Sequence, residues 1–152
     1  MTVTGTPRKF GGWLMLLVVG LALFAGGMAL RIPAYFDPLP AVEAYYGERW
    51  VWLQAIFTIS ALVVVFGNFY LCLKLLTDFR WWTVRLTIAG LWLIFCARSM
   101  IMSLATGLVA GIDLVLVVRQ TAGNLGLMTA FAAIWTVYLL RSKRVAETYP
   151  RA

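Results

Sequence analysis

Residues 50–73 read WVWLQAIFTISALVVVFGNFYLCL and carry no charged side chain. At 1.5 Å of rise per residue, about 20 apolar residues carry an α-helix across a 30 Å hydrocarbon core. The stretch lacks the strict alternation of a lipid-facing barrel strand, so the helical reading holds. Three further runs repeat the pattern: Gly12–Leu30, about Trp82–Leu108 and about Thr121–Leu140. The sequence predicts an all-α integral membrane four-helix bundle in one unit covering residues 1–152.

Composition points the same way. Of 152 residues, 62% are hydrophobic and 12% charged, against roughly 45–50% and about 25% in soluble domains. A soluble domain of this size buries only about 70% of its potential surface, so the excess apolar surface must meet something other than water. Arg8-Lys9 before the first run resembles the start of a signal peptide. The run is too long for one, however, and Arg31-Ile32-Pro33 is not a cleavage pattern. A retained first helix is expected.

The connections carry turn chemistry. Residues 31–49 hold Pro33, Pro38, Pro40 and Gly47, and residues 74–81 form a tight polar turn. Val109–Val118 is apolar except for Asp113, and two readings stay open: an extension of the third helix or a short interfacial stretch.

Basic residues set the expected orientation. Arg8, Lys9, Lys74, Arg80, Arg85, Arg141, Lys143, Arg144 and Arg151 fall on one side, against Arg31, Arg49 and Arg119 on the other. The positive-inside rule then places both termini in the cytoplasm. Trp13, Trp50, Trp52, Trp81, Trp82, Trp135 and Tyr138 sit at span ends and read as interfacial anchors, with ligand stacking as the alternative.

The net charge of +7 does not indicate nucleic acid, because the basic residues sit in short clusters beside apolar runs rather than in a stripe that tracks phosphates. Cys72 and Cys96 lie inside apolar runs and read as buried hydrophobes. Two isolated thiols without histidine build no ordinary zinc site. No Ser/His/Asp set, phosphate loop or intramembrane carboxylate pair occurs. An enzyme is not expected, nor is any cofactor.

Three polar residues inside the spans are the candidate site. Arg98 lies near the middle of the third run, where insertion of a charge costs about 2.5–3.5 kcal/mol. Asp113 is about 15 residues away, roughly 22 Å along a helix, and is no partner. Asn68, Ser60, Ser99, Ser103, Thr106 and Asn124, or a lipid phosphate, are the available acceptors. Arg98 is either a structural residue or the contact for an anion, a headgroup or another protein. Asn68 and Asn124 read as interhelical hydrogen-bonders, worth about 0.6 kcal/mol each on average. Small residues (Gly20, Ala22, Ala25, Gly26 and Gly27 on helix one; Ala122, Gly123, Gly126, Ala130 and Ala133 on helix four) mark close-packing faces. The basic run Arg141–Arg144 reads as a topology signal that also attracts anionic headgroups.

The entry Gly11-Gly12-Trp13-Leu14 and the exit Ile134-Trp135-Thr136-Val137-Tyr138-Leu139 running into Ser142-Lys143-Arg144-Val145 resemble the two ends of a bacterial four-span inner-membrane family, domain of unknown function 2569. The resemblance covers roughly residues 8–149. It implies a bacterial inner membrane location and four helices, and it implies no activity. The functional expectation is a non-enzymatic accessory or assembly subunit that packs against other membrane components, a second protein or itself. The alternative is a small oligomeric transporter or lipid- or anion-binding protein that uses Arg98.

Overall fold

The computed structural model describes residues 12–38, 40–111 and 113–150. Arg8, Lys9, Gly11 and Arg151, used above for orientation and resemblance, lie outside the described residues. All regular structure among those described is helical. It comprises α1 (Trp13–Ala29), α2 (Ile32–Phe36), α3 (Pro40–Tyr46), α4 (Arg49–Thr77), α5 (Trp81–Leu91), a π-helical segment Trp92–Ala97, α6 (Arg98–Ala110), α7 (Leu114–Arg141) and α8 (Lys143–Thr148). Four stretches are long and apolar enough to cross a membrane: Trp13–Phe36, Arg49–Thr77, Trp81–Val109 and Val115–Arg141. This is the architecture of a multi-pass membrane protein.

Neighbouring spans run antiparallel. The Cys72 thiol meets the Val18 carbonyl oxygen at 3.5 Å, which places α1 along α4. A Cβ added at Gly90 would stand 2.6 Å from Leu71 Cδ1, so the small residue sets the close approach of α5 to α4. The core along these contacts is aliphatic, with Leu17, Leu21, Leu75, Val84, Leu91 and Leu139 buried. Trp13, Trp52 and Trp82 are exposed at span ends, as membrane-interface anchors require. Trp135 is not: it is 7% exposed, and its ring packs edge-on to Tyr138 at 5.6 Å and against Phe131 at 6.2 Å.

The turn after the third span is shorter than its apolar sequence implies. Gly111 adopts φ 69°, a left-handed C-cap that favours glycine. Asp113 then caps α7, its carboxylate accepting from the Val115 amide at 3.1 Å. The fourth span therefore starts at Leu114 rather than near Thr121, and Arg119 sits exposed on its second turn. Gly107 lets the two helices meet beside this turn, since a Cβ there would stand 2.6 Å from Val117 Cγ2.

The bundle has two unlike ends. At one, Tyr35, Tyr46, Trp50 and Phe57 form a chain of ring contacts between 5.6 and 6.4 Å. At the other, α8 folds back so that Val145, Thr148 and Tyr149 are buried. Tyr149 donates its hydroxyl proton to the Leu75 carbonyl at 2.5 Å and lays its ring 5.9 Å from Phe79. Asp78 sits between Lys74 at 3.5 Å and Arg80 at 3.8 Å on the neighbouring turn. Burial, and secondarily the negative charge of Asp78, raises the pKa of the Tyr149 phenol.

Candidate functional site in the middle of the spans

The third span changes helix type just before Arg98. Thr83, Val84, Thr87 and Leu91 form its buried stripe, followed by Ile94 and Phe95. A regular helix would carry that stripe on to Arg98 at its centre. The π segment instead bonds the Arg98 amide to the Leu93 carbonyl, five residues back. The extra residue in that turn rotates everything after it by about 100°. Arg98 is thereby moved from the centre of the packed face to its margin.

At that margin the guanidinium Nε donates to Ser60 Oγ of α4 at 2.6 Å. Both residues border a groove of about 400 Å³ between α4 and the third span, with Ile56, Ile59, Val63, Leu93, Ala97, Ile101 and Met102 as its remaining walls. Ile59, Val63, Leu93 and Ile101 are each more than half exposed, so the groove opens sideways, where lipid lies. On a 1.5 Å rise Ser60 stands about 16 Å from Arg49 and about 26 Å from Thr77. The charge therefore lies within the length of the span, nearer its Arg49 end, and is held by one neutral hydroxyl, while its other N–H donors have no acceptor among the described residues.

Asn68 and Asn124 do not join this site. Asn68 is fully buried on α4, yet among the described residues neither its Oδ1 nor its Nδ2 has a hydrogen-bond partner. The expected interhelical bond is not made there. Asn124 is exposed on α7 and borders a different hollow of about 330 Å³, together with Ser103, Thr106 and Thr121. Its expected bond to a neighbouring helix is not made among the described residues, because the open hollow separates it from α4 and α6. Met102 borders both spaces.

The cysteines are free. Cys72 is buried, and Cys96 lies 3.7 Å from the Thr129 hydroxyl. Among the described residues no group of three His, Cys, Asp or Glu side chains could hold a metal. Of the small residues, Gly20, Gly26, Gly27, Gly123 and Gly126 face open space, and Ala122 and Ala130 are exposed beside the last two. Their close-packing faces are left uncovered by this bundle. The Tyr149 clasp is the arrangement that sequence reasoning missed; the pairing of Tyr149 with apolar Val145 on one side of a short helix was the available signal.

No curated protein and no solved structure matches the chain. A family model does, from residue 7 to residue 150, and its description is protein of unknown function (DUF2569). Since that match takes in nearly the whole chain, including all four spans, the protein belongs to the DUF2569 family.

Proposed function

We propose that the protein is a non-enzymatic accessory or assembly subunit of the bacterial inner membrane, with both ends cytoplasmic, that packs sideways against another membrane protein. The observation that carries this reading is the outward face of α7. Ala122, Gly126 and Ala130 recur every four residues there, all exposed, and nothing stands near the glycine. In lipid, helices associate by backbone proximity and van der Waals contact, which small residues at this spacing allow. The excess of basic residues at the end that holds α8 supports the orientation.

Purification of the full chain from its native membrane in mild detergent tests the proposal. A protein that co-purifies, and is lost when Gly126→Leu and Ala130→Leu fill the face, is the expected result. A chain that always runs alone overturns it.

The groove of about 400 Å³ bordered by Arg98 and Ser60 favours a second reading, a small oligomeric transporter or a lipid- or anion-binding protein. Arg98→Ala would then abolish uptake or binding while leaving insertion intact. Unchanged uptake removes that reading.

A further inference from the structure

Arg98 combines depth, charge and incomplete pairing. Five N–H donors radiate from a guanidinium, and Ser60 accepts from one of them. No Asp or Glu falls inside the four spans: Asp37, Glu43, Glu48, Asp78, Asp113 and Glu147 are all outside them in sequence. The groove walls around the charge are otherwise apolar. Such a surface is complementary to an apolar helix bearing one acid at matching depth, because a carboxylate takes two parallel N–H bonds from the free edge of a guanidinium.

We propose that the groove between α4 and the third span receives one transmembrane helix of a different membrane protein, whose Asp or Glu at the depth of Arg98 forms a two-point ion pair with it. The proposal rests on the accessory-subunit reading and names the partner's chemistry. A second copy of this chain would bring another arginine and no acid. A phospholipid headgroup sits at the interface, roughly 15 Å from the bilayer centre, and would have to sink between Ile56, Ile59 and Val63 with no second cation to hold its phosphate.

The test places a benzophenone amino acid at Val63 or Ile101, on the lips of the groove, and at Phe69 as an exposed control on α4. The full chain is irradiated in native membranes and the adducts are sequenced. The expected result is an adduct from both lips, but not from Phe69, to a transmembrane segment that contains an Asp or Glu. Its yield should fall about thirtyfold in Arg98→Leu and recover when Arg98→Glu is paired with an acid-to-Arg change in the partner. Arg98→Lys, which keeps the charge without the planar fork, should give an intermediate yield and controls for misfolding.

Adducts to lipid alone, to a second copy, or to a segment without an acid overturn the proposal, as does a yield indifferent to Arg98→Leu. A partner that co-purifies through the α7 face but never crosslinks from Val63 or Ile101 sinks the groove inference alone. No co-purifying protein at all sinks the accessory reading with it.

Discussion

The Tyr149 hydroxyl and the Leu75 carbonyl are 2.5 Å apart across 74 residues of sequence. The bond closes the end of the bundle where α4 runs out of regular partners, because a helix leaves its last four carbonyls without intrahelical donors. The acceptor is supplied by α4 and the donor by Tyr149, the residue that follows α8.

Tyr149→Phe removes that donor and keeps the ring packed on Phe79. The expected loss is about 1 kcal/mol, read as a lower midpoint in denaturant or heat in detergent. The phenol pKa is raised by burial and by Asp78, so the folded state favours the neutral form. Its contribution is complete below the ordinary tyrosine value of about 10 and disappears as pH rises through the raised folded value. The wild type should therefore weaken more steeply than Tyr149→Phe above that pH, and the two should run parallel below it.

Asn68→Leu should leave stability unchanged or raise it. An amide with both polar atoms buried and unpaired carries a desolvation penalty, which an apolar residue of similar volume removes. Thermal unfolding in a fixed detergent measures this, and a loss of more than about 1 kcal/mol would show that Asn68 has a partner after all.

The α6–α7 turn depends on two residues of opposite character. Asp113→Ala removes the cap on the Val115 amide and should cost about 1 kcal/mol. Gly111→Val forces a β-branched residue into φ 69°, a conformation such residues almost never adopt, and should cost more. Proteolysis at the turn follows both changes, with cleavage rates rising in that order.

Ser60→Ala deletes the neutral acceptor of Arg98 and opens no large cavity. Insertion and abundance should change little, since the guanidinium keeps access to the groove. Ser60→Leu fills the groove beside the charge, and any lateral association through this face should fall while the bundle still forms. Co-purification yield against total expressed protein reports the difference.

The spans were legible because a run such as residues 50–73 has one physical solution in lipid, and its length fixes the crossing. The start of α7 was not, since hydropathy runs on through Val109–Val118. The break lies in Gly111 and Asp113, whose cap roles show only when the pair is read as one helix's end and the next one's beginning. Sequence offered several acceptors for Arg98 at similar depth. The choice of Ser60 follows from the π turn at Trp92–Ala97, which no composition or periodicity announces. The placement of Asn124 on an open hollow rather than against a neighbouring helix depends in the same way on the rotation of α7, a property of packing rather than of local propensity. Trp135 stands near the end of its span as an anchor would, yet faces Phe131 and Tyr138 for that reason too.

The clasp beneath the bundle also bears on biogenesis. Ribosomal synthesis delivers α1 and α4 well before residue 149, so the first two spans meet in the bilayer while the lower end of α4 is still open to the aqueous boundary. Only α8 and Tyr149, made later, can shut it. A newly made molecule thus passes through an unlatched stage, in which Leu75 and Phe79 are reachable by membrane proteases or chaperones, and a tag fused behind residue 150 stands where that latch has to swing.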